Sequence, residues 1–503
     1  MISAPSRLQL LNGNKPFVTF SRIFMLLMGV LLFSSCELFK PISQGGGNDP
    51  KEDKTELDPI QGKRVYDPAT GTFVVVQNAP TDPMDTIRWR DIPSSIEPPI
   101  YSTSAPVTQN PGGSNPVTTI GIGDGNSQLL SSYNVAVVLP FLTDRFSAID
   151  RRIAPNSTWA LQFYNGMQMA FDELSQAGIA LNVSVIDSKA NQREVSNMAR
   201  LNRDLNSAHM IIGPYLRDNA AVLAEKARNT GAVLVSPQSA SSSISARNPN
   251  YVQVKPTLET HCKAIMRHAL QNYTRDQIVL VGMDTESEAA RFDYFQREYE
   301  RINGLTDTEP LKRLLVDTAE IDMQSIDLKP WFSFDGETVF IVPSWSQESF
   351  VYNFLRKVDL DRQQYQRVRV YGMPQWMDYE RIDFDYYEKL NVHVSSSAFV
   401  DDLNPDIRAF KRQYYERFGE IPNEQAFLGY DVTRYFSRMM NTHGTKFQYK
   451  LQEQPDDLLH TRFEFQPVVI PTTTGNEFPQ VERWENQHVN ILHFRNYRFT
   501  KAD

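Results

Sequence analysis

Cysteine is scarce in this chain, with two in 503 residues. Two cysteines exclude a disulfide framework and a four-cysteine zinc site. Basic excess is absent, since 51 Lys and Arg face 60 Asp and Glu, for a net charge of −9. A chain without surplus cations has little with which to neutralise phosphates, so nucleic-acid binding is not expected. No run reaches the roughly 20 apolar residues of a spanning helix. Gly-x-Ser-x-Gly, P-loop, His-Glu-x-x-His and Cys-x-x-Cys patterns are all missing. The eight histidines are scattered. His261 and His268 are seven residues apart on one helical face, about two turns, too far to share a common metal ion. No cofactor, no metal and no enzymatic chemistry are expected. Apolar content, at 41%, is ordinary and supports a folded core.

The N-terminus carries an address. Residues 1–35 hold Arg7, Lys15 and Arg22 and no acid, and 23–33 are apolar. About 11 apolar residues suit a signal peptide and not a spanning helix. Ser34, Ser35 and Cys36 follow at once. The segment resembles a bacterial lipoprotein signal, with Phe33 where that pattern prefers Leu. A plain secretory signal or a short anchor is the alternative. The resemblance implies removal of 1–35, acylation of Cys36 and a membrane anchor in the cell envelope, at the outer membrane facing periplasm or surface. Cleavage removes three cations and moves the net charge to about −12. Cys262 then remains as a small buried hydrophobe in a helical pattern.

Residues 36–131 read as a flexible tether rich in Pro, Gly, Ser and Thr. An island at 64–89 reads as a hairpin, with 67–71 as its turn. Residues 85–89 are expected to dock on the folded body. Gly121, Gly123 and Gly125 belong to the linker, because no strand precedes them and no helix follows.

From Asn134 onwards, apolar strands alternate with amphipathic helices. Strands are expected at 134–140, 183–187, 210–214, 232–237 and 251–254, with helices at 159–177, 194–205 and 219–227 between them. The alternation restarts with helices at 261–273, 288–302, 348–358 and 379–390, and strands at 278–282, 338–343, 368–372 and 392–394. Helices at 407–418 and 424–440 and closing strands at 463–465 and 489–494 complete the chain. Continuous apolar strands separated by helices imply parallel sheets with right-handed crossovers. The fold class is therefore α/β, two Rossmann-like lobes. Lobe 1 is drawn as 133–255 plus about 400–462, and lobe 2 as 256–399 plus about 463–503. Open parallel sheets bind ligands at their strand C-termini, so the cleft is expected there.

Several segments carry a family resemblance. They are the opening strand ending Leu139-Pro140-Phe141, the first helix with Gly166, Ile211-Ile212-Gly213-Pro214, Val235-Ser236-Pro237-Gln238, and the late pair Phe418-Gly419-Glu420-Ile421-Pro422 and Ala426-Phe427-Leu428-Gly429-Tyr430-Asp431. Together they resemble the type I periplasmic-binding fold, in the leucine-binding-protein-like group. The resemblance implies two lobes joined by a hinge and a small polar ligand, amino-acid-like or another metabolite, between them. It also implies an ABC-type importer's permease as partner. Some lipoproteins of this fold instead act by protein contact, for example on a penicillin-binding-type cell-wall synthase. A ligandless envelope interaction module is thus the alternative reading.

The strand ends supply the candidate ligand residues. Arg217, Asp218 and Asn219 stand near a helix N-terminus, where free N–H groups favour an anion. Ser239, Ser241, Ser242 and Ser243 follow the fourth strand. Simple helix capping is the alternative for both groups. In the second lobe, Trp345 and Ser346 end one strand, and Gln375 and Trp376 follow another. The tryptophans would cover a ligand by stacking or by an aromatic–cation contact, or else pack between the lobes or against the linker. Amino-acid binders of the group place an acid after the strand that here ends at Gly372. This chain has Met373-Pro374-Gln375-Trp376 there, which argues against a simple α-amino acid.

Overall fold

The structure is a computed structural model that describes residues 63–67, 72–76, 127–147, 152–304, 309–334, 336–470 and 480–502. The chain divides into two units, Met1–Gly112 and Gly113–Asp503. In the first, Lys63–Asp67 (β1) and Thr72–Val76 (β2) pair antiparallel, with Val65 opposite Val74. The leader, Cys36 and segment 85–89 lie outside the described residues. Among the described residues, no helix is long and apolar enough to cross a membrane.

The second unit begins with β3 (Tyr133–Leu139), α1 (Thr158–Gln176), β4 (Leu181–Asp187), α2 (Gln192–Leu201), α3 (Arg203–Ser207), β5 (Met210–Ile212), α4 (Arg217–Thr230), β6 (Val233–Ser236) and β7 (Tyr251–Gln253). The chain then builds a second set: α5 (Leu258–Asn272), β8 (Ile278–Met283), α6 (Glu286–Asn303), β9 (Lys312–Val316), β10 (Glu337–Ile341), α7 (Glu348–Asp361), β11 (Arg367–Gly372), α8 (Phe384–Lys389) and β12 (Val392–Ser396). It returns through α9 (Pro405–Phe418), α10 (Glu424–His443), β13 (Asp456–Asp457), β14 (Arg462–Phe463), β15 (Phe465–Ile470) and β16 (Gln480–Asn486). It ends with β17 (Asn490–Arg495) and β18 (Arg498–Lys501).

Two seven-stranded sheets result, in the orders β15-β16-β7-β6-β5-β3-β4 and β18-β17-β12-β11-β10-β8-β9. The five first-formed strands of each sheet are parallel and follow the doubly wound order 2-1-3-4-5. Val135, Val137 and Leu139 of β3 are buried on one face and Ala136 and Val138 on the other. That two-sided burial is why the strand reads as an unbroken apolar run.

The lobe boundary differs from the sequence expectation. Strands β15 and β16 lie in the first sheet, where Trp484 of β16 is in register with Val252 of β7. Only β17 and β18 close the second sheet. The chain thus crosses between lobes after Asn486 and not near 463. The tether also ends earlier than 131. Ser127 Oγ donates to the His443 carbonyl (2.6 Å), and Thr445 N donates to the Gln128 carbonyl (3.1 Å). The helix expected at 194–205 is two helices. Asn202 takes an extended conformation between them and caps α3 with its side chain.

Two glycines explain how the late helix joins the first lobe. A Cβ on Gly166 of α1 would stand 1.9 Å from the Ala426 carbonyl oxygen, and one on Gly429 of α10 would stand 2.0 Å from that of Phe163. Only hydrogen fits at this crossing, so α1 and α10 touch backbone to backbone. Around the three inter-lobe connections, Glu485 collects the Thr257 amide (3.0 Å) and the hydroxyls of Thr257 and Thr260 (2.7 Å each). Its other oxygen pairs with Arg483 at 2.7 Å.

Candidate functional site

A cavity of about 460 Å³ opens at the C-terminal edge of the first sheet. Its wall is formed by Pro140 and Leu142 after β3, Ala190 after β4, and Tyr215 and Leu216 after β5. These loops flank the point where strand order reverses, the ordinary ligand position of an open α/β sheet. Trp159, near the start of α1, forms another wall. It stacks on Phe163 (5.1 Å, 15°) and meets Tyr215 at 4.9 Å. Its indole Nε1 is buried and without a hydrogen-bond partner among the described residues. Arg145 and Asn156 supply the polar part of the lining.

The loops under this cavity are held in sparsely populated backbone conformations. Leu142, Lys189 and Ala190 have φ of 55°, 49° and 49°. Such geometry persists only where the surroundings fix it. Asp187, at the end of β4, does so. It accepts hydrogen bonds from Thr143 N (2.8 Å), Thr143 Oγ1 (2.8 Å), Lys189 N (2.8 Å) and Leu142 N (3.2 Å). Burial alone would raise its carboxyl, but these bonds outweigh it and hold Asp187 below the ordinary carboxylate range.

The corresponding edge of the second sheet carries a buried ionic cluster. Glu288, in the first turn of α6, accepts from Met283 N (2.8 Å), Ser344 Oγ (2.6 Å) and Arg291 Nη1 (3.1 Å). Arg291 also donates to the Pro343 carbonyl (3.0 Å), and its guanidinium lies over the Trp345 ring at 4.9 Å. Glu288 is therefore spent inside its own lobe and offers no carboxylate to an incoming ammonium group.

These two strand-end sites rest on sheets of identical parallel order. Among solved structures, a putative branched-chain amino acid ABC transporter from Rhodospirillum rubrum superposes on this chain with a TM-score of 0.52 at 13% identity, over 73% of this chain and 99% of that one. The fold is that of the type I periplasmic binding proteins. Similarity extends to an ABC transporter substrate-binding protein from Desulfitobacterium hafniense in complex with Leu (TM-score 0.47, 14% identity, 74% of this chain and 100% of that one). It extends also to a branched-chain amino acid ABC transporter periplasmic ligand-binding protein from Burkholderia xenovorans (0.49, 12%, 73% and 94%). No protein-family profile and no curated protein matches the sequence.

Within this type I fold, the expected site residues divide. Arg217 begins α4 beside Leu216, is exposed, and donates to Ser243 Oγ (2.8 Å). Ser243 Oγ in turn lies 3.2 Å from Ser241 Oγ. Arg217, Ser241 and Ser243 thus form one polar group at the strand ends. Side-chain capping does not occupy α4, because Leu216 stands at its N-cap. Asp218 is exposed, whereas Asn219 is buried with no partner for its Nδ2 among the described residues. Ser239 is buried under the loop and Ser242 is exposed. Across in the second lobe, Ser346 and Gln375 are exposed and Trp345 is partly buried.

Trp376 is a correction. It is 0% exposed, and its Nε1 donates to the Ser344 carbonyl (2.8 Å). The 3₁₀ turn Pro374–Asp378 folds the indole back over Gly372, where a Cβ would stand 2.3 Å from the ring. It packs in the second lobe's core. Cys262 is buried, and burial pushes its thiol well above the usual range, so it is no nucleophile.

Sequence reasoning missed Trp159, Tyr215, Leu142 and the Glu288–Arg291 pair. Tyr215 had a signal, as a large aromatic directly after the strand-end Gly213-Pro214, whereas Trp159 reads only as an ordinary helix start. Glu288 was hidden by a local pattern. Thr285 with Glu288 reads as a capping box, in which the Glu turns back to the cap residue's own N–H. Here Thr285 does cap α6, but Glu288 turns instead to Met283 and Ser344.

Proposed function

We propose that this protein is a lipid-anchored solute-binding protein, not an enzyme, that captures a small ligand between its two lobes. The observation that carries the reading is the cavity of about 460 Å³ at the first lobe's switch point, walled by Trp159 and Tyr215. An apolar or aromatic ligand body sits on those rings, and an anionic group faces Arg145. Arg217, Ser239, Ser241 and Ser242 form the polar rim, with Asp218 and Asn219 at the helix start. Trp345, Ser346 and Gln375 approach from the second lobe. Because Glu288 is already neutralised by Arg291, an organic acid suits the site better than an α-amino acid. The leader, Cys36 and the tether add an acyl anchor that holds the domain off the membrane, and an ABC-type permease is the partner that receives the ligand.

The test is thermal unfolding of the purified protein against aromatic and aliphatic carboxylates, amino acids, sugars and cell-wall fragments. A ligand at a hundredfold excess over its Kd stabilises by roughly 2.7 kcal/mol. One chemical class is expected to raise Tm in a dose-dependent way, and Trp159→Ala is expected to remove that shift while the protein stays folded. A shift that survives Trp159→Ala would place the ligand elsewhere.

One observation favours a second reading. Phe146, Ile153, Tyr215 and Leu216 are 52%, 48%, 46% and 37% exposed. The last two line the cavity together, and adjoining exposed apolar side chains mark interaction sites. A flat response across the library from a well-folded protein would favour a ligandless envelope module that docks a protein partner such as a cell-wall synthase.

A further inference from the structure

The far end of the second sheet breaks the pattern of its own architecture. Central strands of a covered parallel sheet are apolar on both faces. On β11, β12 and β17 the alternate positions instead carry Arg367, Arg369, Tyr371, His393, His493 and Arg495. The registers set Tyr371 beside His393 and His393 beside His493. The two imidazoles stack at 4.4 Å and 10°. His268 of α5 lies against them, with its Nδ1 2.8 Å from the Tyr371 hydroxyl.

A cavity of about 630 Å³ opens over this row. Among the described residues, Glu337 is the one acid in its wall, and it is already engaged. Tyr273 donates to it (2.9 Å), and Arg369 lies 3.4 Å from its other oxygen. Arg367 and Arg495 are exposed in the same wall and, among the described residues, pair with no carboxylate. Burial pushes His393 down to about 3, a backbone hydrogen bond to Asn391 opposes this, and His493, Arg369 and His268 lower it further. That ring is neutral at pH 7, and Arg367, Arg369 and Arg495 supply positive charge to the cavity. Guanidinium groups present a planar donor fork that fits the oxygens of phosphate or carboxylate. Glu337 and Arg367 open their strands, whereas the cleft lies at the strand C-termini. Strands of this length separate the two places by about 17–20 Å.

We propose that this cavity is a second binding site, for a small oxyanion with two or more phosphate or carboxylate groups clamped between Arg367 and Arg495. It is independent of the solute cleft.

The test is calorimetric titration of the purified protein with pyrophosphate, inorganic phosphate and citrate at low ionic strength. Saturable binding of one anion per chain is expected for pyrophosphate or citrate, and their ranking separates phosphate from carboxylate chemistry. Inorganic phosphate, with a single group, is expected to bind more weakly by roughly tenfold or more, and equally tight binding of it overturns the two-group clamp. The Arg367→Ala/Arg495→Ala double variant is expected to weaken the saturable binding roughly tenfold or more, since it removes both charged hydrogen-bond donors of the clamp. Both side chains are exposed, so the variant should unfold at the wild-type temperature, which the same preparation checks. Arg412→Ala, an exposed arginine on the first lobe, is expected to bind as wild type does. No saturable heat in the millimolar range overturns the proposal. So does binding unchanged in the double variant, or an equal loss in Arg412→Ala.

Discussion

Glu288→Ala is expected to destabilise the protein by about 3–5 kcal/mol, the cost of breaking a buried pair by removing one partner. Glu288 and Arg291 are 2% and 9% exposed, and their contact is 3.1 Å. Without the carboxylate, the Arg291 charge stays buried against the Pro343 carbonyl and the Trp345 ring, and the Met283 amide and Ser344 hydroxyl lose their acceptor. Urea unfolding reads the effect as a lower midpoint with an unchanged slope. Replacing both residues by Met removes the two charges together, and is expected to cost far less than Glu288→Ala alone. A loss below about 1 kcal/mol in the single variant, the worth of an exposed pair, would mean that solvent reaches Arg291 and that the cluster is not sealed.

Trp376→Ala is expected to cost a similar amount, about 3–5 kcal/mol, the usual range for deleting a large buried aromatic. The indole fills the space above Gly372, stacks on Tyr387 at 6.4 Å and 22°, and gives the Ser344 carbonyl its donor. The backbone carbonyl of Trp376 also accepts the Tyr387 hydroxyl at 2.8 Å. Urea unfolding measures the loss, and the thermal response to a bound ligand separates the two roles open to this residue. A core residue lowers stability yet leaves the ligand-induced shift in place. Loss of that shift at unchanged stability would return Trp376 to the cleft.

The contrast between Trp345 and Trp376 shows what a sequence carries and what it hides. Both follow apolar strands, and both read as cleft residues. The direction of each side chain is set by the turn after the strand, and the Pro374–Asp378 turn points one of them inward. The doubly wound architecture was legible because its central strands are buried on both faces and appear as plain apolar runs, as in Val135–Leu139 or Ile278–Val281. Strands at the margins were not. Lys312–Val316 and Gln480–Asn486 are rich in charged residues, and Arg498–Lys501 at the sheet edge is half exposed. Their strand character comes from pairing with a neighbour, which no local pattern records. The same cause moved the lobe boundary, because β16 reveals its sheet only through its register with β7. At the site, strand-end loops were legible as places. The aromatic walls were not, since Trp159 also fits an ordinary helix start.

The central claim is that a ligand is held between the two switch points of one type I fold. Amide hydrogen exchange, with and without the compound that stabilises the protein, tests it most directly. Ordering by a ligand raises local protection. The account predicts added protection at 140–145, 188–190 and 215–219 in the first lobe together with 284–291 and 344–346 in the second. Protection confined to one lobe, or found only at the far end of the second sheet around 367–369 and 493–495, would contradict capture between the lobes.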